Sequence, residues 1–257
     1  MEVDHVGYRY PDTPTSGPPA LDDVTFAVGR GQFVAIAGPS GSGKTTLLRC
    51  VAGLSRPSTG TVRLDGIEID GVPRSMAMVF QDYGRSLFAW MRIRENVALP
   101  LRGLGLTRSE REERVTAALS EVGLADAADR YPWQVSGGMQ QRVAIARAVA
   151  YQPRILLMDE PFASVDAQTR ADLQDTVLNV WRAHGSTVLF VTHDIDEAVY
   201  LGDRVIVLSA AARLAADLTM GLPRPRDQVD TRASAAFADR RAELARLIMR
   251  PRSAGIG

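Results

Sequence analysis

Gly38-Pro39-Ser40-Gly41-Ser42-Gly43-Lys44-Thr45 fits the pattern G-x-x-x-x-G-K-[ST] of a phosphate-binding loop, and it lies between an apolar run and a helical one. Its parts act for separate physical reasons. Glycines let the backbone curl until successive N–H groups face an anion, and the helix N-terminus behind them adds roughly half a positive charge. Lys44 brings a mobile point charge to the outer phosphates, and the Thr45 hydroxyl suits Mg2+. Lys44 is also the only lysine in the chain, every other member of its 30 Lys and Arg residues being arginine.

Ile155-Leu156-Leu157-Met158-Asp159-Glu160 is the partner such a loop needs, an apolar strand delivering carboxylates at its carboxyl end, where α/β sheets place ligands. Asp159 is a candidate to hold Mg2+ through water, and Glu160 a candidate to orient or deprotonate an attacking water. Ser136-Gly137-Gly138 puts a serine and two glycines at the start of a helix, a second anion-binding geometry in one chain. Two such ends suggest two chains sharing nucleotide. His193 directly follows the apolar run ending in Thr192, where a neutral imidazole can meet a terminal phosphate.

Short apolar runs alternating with amphipathic segments must position these groups, which predicts an α/β domain with a largely parallel sheet. Buried strands are expected at 33–37, 155–158, 187–192 and 204–209, with helices at 46–52, 169–184 and 195–201. From Leu87 to Gln152 the pattern is helical without a buried strand, so it reads as an inserted subdomain. There Thr107-Arg108-Ser109-Glu110 is a capping box, Val115, Ala118, Leu119 and Val122 follow at helical spacing, and Gly123 ends the run. Ser136 opens the next helix, with Met139, Val143, Ala146 and Ala150 expected along one face and Pro153 just beyond its end. Past Ser209 the chain reads as irregular, broken by Pro223 and Pro225 before a last amphipathic segment at 236–250. The expected organisation is a single domain over 1–257, with a core at 1–86 and 153–215, a helical subdomain at 87–152 and a short tail at 216–257.

Thirty basic and 30 acidic residues leave no global field to hold the chain on nucleic acid or an anionic bilayer. Cys50, the single cysteine, cannot close an internal disulfide and reads as a small buried hydrophobe, with a reducing compartment as the default. The N-terminus lacks a signal pattern, and no stretch approaches the roughly 20 apolar residues of a spanning helix, so the chain is expected to be soluble by itself.

In these motifs the sequence resembles the ATP-binding subunits of ABC transporters, over about residues 3–210. The resemblance implies a P-loop NTPase fold, in which a RecA-like core with a parallel sheet carries an inserted α-helical subdomain, and an ATPase using ATP and Mg2+. It assigns the Walker A loop to Gly38, Pro39, Ser40, Gly41, Ser42, Gly43, Lys44, Thr45 and Thr46, the Walker B strand to 155–159 and the catalytic glutamate to Glu160. The Q-loop falls on Gln81, the signature on Ser136, Gly137 and Gly138, the D-loop on Ser164, Val165 and Asp166, and the switch histidine on His193. Tyr10 takes the place of the aromatic that stacks on adenine, and Thr45, Gln81 and Asp159 that of the Mg2+ ligands.

The wording of 80–90, 158–168, 191–198 and 223–228 is similar to the nitrate, sulfonate and taurine importer branch. Val135 stands for the usual signature leucine, Met139 for its glutamine, and Ala89 for a proline before Trp90. The implied role is to energise solute uptake through separate transmembrane permease subunits, from the cytoplasmic face of the membrane as a peripheral subunit. The implied partners are a second copy in an ATP-bound homodimer and, indirectly, an extracytoplasmic solute-binding protein, with no nucleic acid. The alternative is a soluble ABC-type ATPase of DNA repair or translation, or an exporter subunit. A single phosphate loop, no cysteines for zinc and no sustained heptads between Lys44 and Ser136 weigh against the soluble ATPase. Phe88 and Trp90 fit a membrane-chain contact or a helical core equally, Tyr10 has the alternative of a packed surface aromatic, and His5 and His184 read as surface residues.

Overall fold

The computed structural model describes residues 1–12, 14, 17–163 and 165–249. In chain order the elements are β1 (Glu2–Tyr8), β2 (Leu21–Ala27), β3 (Phe33–Ala37), α1 (Lys44–Val51), β4 (Thr59–Leu64), β5 (Ile67–Glu68), β6 (Met76–Val79), α2 (Tyr83–Ser86), α3 (Ile93–Ala98), α4 (Arg108–Glu121) and α5 (Gly137–Ala150). They continue with β7 (Ile155–Asp159), α6 (Ala167–His184), β8 (Thr187–Val191), α7 (Ile195–Leu201), β9 (Arg204–Leu208), β10 (Leu214–Thr219), α8 (Asp230–Ala233) and α9 (Ala235–Ile248). The chain divides into two units, residues 1–73 with 187–257, and residues 74–186.

In the first unit β3 lies between β8 and β9, parallel to both, and β10 pairs antiparallel with β9. All five residues of β3 and of β8 are buried, as continuous apolar runs covered on both faces should be. Leu47, Leu48, Phe190 and Ile206 are fully buried in the same unit, each contributing roughly 1.5–3 kcal/mol. β10 corrects the expectation of irregular chain past Ser209. It is an edge strand, exposed at every second residue, tied by the Arg204–Asp217 pair, with Nε to Oδ1 at 2.9 Å.

A second sheet in this unit, antiparallel in the order β2-β1-β4-β5, was not expected from the periodicity. Val3 and Val6 face inward from β1, as do Leu21, Val24 and Phe26 from β2. Between them His5 and Asp23 take positive φ, 49° and 55°, and their side chains meet at 2.6 Å from Nδ1 to Oδ1. The register shifts on both sides of Val6. Such bulges break the alternation by which a strand is recognised.

In the second unit β6 and β7 pair in parallel, and α2, α3, α4 and α6 pack against α5. Residues 87–152 contain helices and no strand, as expected. The unit is wider than that segment because β6, β7 and α6 make their contacts with it. The α4 capping box is present, with Val115, Ala118, Leu119 and Val122 all buried. α5 departs from the one-face expectation. Val143, Ala144, Ile145 and Ala146, then Ala148, Val149 and Ala150, are buried, so this helix is the unit's central rod.

Candidate functional site

The phosphate-loop residues belong to the first unit. β3 ends at Ala37, the loop follows, and α1 starts at Gly43, whose φ of 87° is left-handed and whose added Cβ would stand 2.2 Å from the Ala20 carbonyl oxygen. Glycine is required there twice over, for conformation and for space. It also leaves the helix without a side-chain cap. Lys44 is 6% exposed, and its Nζ donates to the Gly38 and Pro39 carbonyls at 3.0 Å each, so the ammonium lies folded along its own loop. Ser42 is fully buried, and its Oγ has no hydrogen-bond partner among the described residues.

Tyr10 is 44% exposed and meets the edge of Tyr8 at 5.1 Å between ring centroids. Its hydroxyl bonds the Thr46 Oγ1 at 2.8 Å, which fixes the ring relative to the first turn of α1. Ring and loop are therefore one assembly, an attachment invisible in the spacing of the two residues.

His193 is brought to the same edge of the sheet. β3 and β8 run parallel with Ile36 opposite Val191, and the Thr192 N–H donates to the Ile36 carbonyl at 3.1 Å, so Gly38 and His193 both leave at the carboxyl ends of adjacent strands. His193 is exposed between two anchored neighbours. Thr192, 1% exposed, donates its hydroxyl to Glu197 Oε2 at 2.6 Å and accepts from the Asp194 N–H at 3.0 Å. Asp194 Oδ1 accepts from the Asp196 and Glu197 N–H groups at 2.8 and 3.1 Å, capping α7.

The acidic and signature residues belong to the second unit. β7 is buried throughout, including Asp159 at its end, and Glu160 leaves it with φ 42°. A non-glycine residue held in the left-handed region costs of order 1–3 kcal/mol, strain that concentrates where a side chain must be aimed. Ser136 caps α5, its Oγ accepting from the Met139 N–H at 3.3 Å. Asp166 caps α6, its carboxylate accepting from the Thr169 N–H at 3.0 Å and from the Thr169 hydroxyl at 2.7 Å. Those donors hold the Asp166 carboxyl below the usual carboxylate range. A Cβ on Gly138 would stand 2.4 Å from Thr169 Cγ2, so the signature turn and the Asp166 cap lean on the same threonine. Ser164 lies outside the described residues.

Gln81 is exposed just before α2, and the segment after it is fastened by two residues that sequence reasoning missed. Asn96, fully buried in α3, accepts from the Phe88 N–H at 2.8 Å, and its Nδ2 donates to the Phe88, Met91 and Arg92 carbonyls at 3.1, 3.0 and 3.2 Å. The available signal was a polar residue between the apolar Ile93 and Val97. Arg147 of α5 donates to the Ser86 carbonyl at 2.5 Å and to its hydroxyl at 2.9 Å. Trp90, 74% exposed, stands outside any core and meets the half-buried Phe88 at 5.1 Å, edge to face. Cys50 is buried as expected, its thiol pushed up to about 11 by burial. His184 is paired with Glu121 at 2.8 Å.

The available oxygen donors, a hydroxyl at Thr45, an amide at Gln81 and a carboxylate at Asp159, are hard ligands of the kind Mg2+ takes together with phosphate oxygens. Among the described residues no cluster of three His, Cys, Asp or Glu side chains forms a cage for a metal by itself. No helix among them is long and apolar enough to cross a membrane.

Residues 21–163 match the family model described as ABC transporter. The taurine import ATP-binding protein of Chromobacterium violaceum is 46% identical over 209 residues, covering 81% of this chain and 78% of that protein. The nitrate import ATP-binding protein of a Synechocystis strain is 43% identical over 205 residues, covering 79% and 76%. A dimeric ATP-binding cassette solved in a post-hydrolysis state with ADP and phosphate superposes with a TM-score of 0.73 at 33% identity, covering 85% of this chain and 97% of that one.

Proposed function

The chain belongs to the ABC transporter ATP-binding family, and from that premise we propose how its residues hydrolyse ATP and what the hydrolysis drives. It is an ATP-binding, ATP-hydrolysing subunit of an ABC importer. The observation that carries the assignment of roles is the buried Lys44 ammonium at the uncapped start of α1. On binding ATP, Lys44 exchanges the Gly38 and Pro39 carbonyls for β- and γ-phosphate oxygens, and the loop N–H groups take the rest of the charge. Tyr10 stacks on the adenine. Thr45, Gln81 and Asp159 would hold Mg2+, which would supply neutralisation of the phosphate charge.

Glu160 accepts a hydrogen bond from the attacking water and aims it along the bond to the leaving phosphate. His193 donates to the γ-phosphate. Ser136, Gly137 and Gly138 of a second copy close over the same phosphate, and Asp166 lies at the dimer seam. Closure on ATP and reopening after hydrolysis form a two-state motion, passed to transmembrane permease subunits through the loop after Gln81, where Asn96 and Arg147 make the surface stiff. The subunit sits peripherally on the cytoplasmic face. The solute is of the nitrate, sulfonate or taurine kind, delivered by an extracytoplasmic binding protein.

Reconstitution of the chain with its permease in proteoliposomes tests this reading. ATPase stimulation by solute-loaded binding protein on the outer side is the expected result. Stimulation by solute supplied only on the ATP side identifies an exporter and overturns import.

A further inference from the structure

Residues 222–248 carry none of the nucleotide motifs, yet they are built onto the helix that follows His193. The last carbonyls of α7 are taken by two tail arginines. Arg226, 6% exposed, donates through Nη1 to Tyr200 O at 2.5 Å and Val199 O at 3.3 Å, and through Nη2 to Gly202 O at 3.0 Å. Arg224 donates to Leu201 O at 2.8 Å and is held by Asp203 at 2.7 Å. Gly202 is extended, φ −73° and ψ 138°, so no left-handed glycine finishes this helix. The guanidinium groups replace that cap and place positive charge at the negative end of the helix dipole.

The other end of α7 is gripped as well. Asp196, in its first turn, meets Arg241 Nε at 2.6 Å and Arg232 Nη1 at 3.9 Å. The Arg232 guanidinium also lies 4.8 Å from the ring centroid of Tyr200, a fully buried residue of α7, and 5.8 Å from that of Phe237 in α9. Phe237 and Leu244 seat α9 with 3% and 0% exposure. Through Glu197 and Asp194, α7 in turn holds the residues on either side of His193.

Resting on the reading that His193 contacts the γ-phosphate, we propose that the C-terminal tail is a strap that positions the switch histidine through α7. Arg224, Arg226 and Asp196 are then positioning residues for hydrolysis. Because the strap contacts described above fall on α7, Gly202 and Asp203 rather than on the phosphate loop, its loss acts on kcat and leaves KM for ATP in place.

The test measures kcat and KM for MgATP on the full chain, normalised to ATP-binding stoichiometry, for Arg226→Met in the His193 and His193→Ala backgrounds. The expected result is a fall in kcat of about tenfold with His193 present, and no further fall without it. An equal fall in both backgrounds makes the tail a general stabiliser and overturns the strap. If Arg226→Met fails to fold, Asp196→Asn replaces it, with an expected kcat loss of about threefold and the same dependence on His193. Unchanged kcat in Asp196→Asn overturns the strap. Full turnover in His193→Ala alone removes the histidine's role and the strap with it, whereas a drop there beside insensitive tail variants overturns the strap only.

Discussion

Helix α1 begins at Gly43, which has no side chain to offer the first turn, whereas α5 begins at Ser136, whose Oγ accepts from the Met139 N–H. Both are glycine-rich helix starts, and dipole strength alone does not tell them apart. Capping does. The α1 start is shaped so that an outside anion meets its backbone N–H groups, and the lone lysine is stored beside it. The α5 start is self-sufficient and exposed, so its serine can serve the helix in one copy and a phosphate held by another. A binding end and a closing end can thus be built from similar sequence, the difference lying in which residue stands at the cap.

Removing the stored charge breaks the comparison most severely. Lys44→Ala should lower ATP turnover by about a thousandfold, since the chain has no second lysine, with a steady-state assay as the check. Ser136→Asp separates the two duties of the α5 start. Aspartate caps a helix as well as serine does, so thermal melting should be unchanged, while the added charge repels the partner's phosphate and turnover falls about a hundredfold. Lowered melting with normal turnover would leave Ser136 only its capping duty.

Phe88→Ser with Trp90→Ser reaches the loop outside both ends. Trp90 is mostly exposed, so melting and basal ATPase should hold, while transport in proteoliposomes falls about tenfold. Tyr10→Ala is the mildest change. Loss of one base stack should weaken ATP by about fivefold in Kd, measured by titration calorimetry.

What could be read in the sequence is contiguous. The loop 38–45, the buried strand ending at Asp159 and the Thr107 box each lie within a few residues, and the structure places them on the expected elements. The antiparallel sheet escaped because His5 and Asp23, at positive φ, reset the alternation of β1 and β2. The i, i+3, i+4 spacing of Val143, Ala146 and Ala150 marks one face of α5 and says nothing of Ala144, Ile145, Ala148 and Val149, which are buried on its other sides. Asn96 acts within eight residues of itself, but Arg147 and Arg226 escape local reading because their duties are long-range: Arg226 meets carbonyls 24 to 27 residues away and Arg147 a serine 61 residues away. Nothing in local spacing encodes such a reach.

The account rests most heavily on ATP being shared between the α1 end of one copy and the α5 end of another. Glu160→Gln keeps the shape of the side chain and removes its basicity, so hydrolysis should stall with ATP bound. Size-exclusion chromatography of this variant with MgATP should show a dimer that reverts to monomer when nucleotide is omitted. A monomer that binds MgATP and stays monomeric at high protein concentration would contradict the shared site.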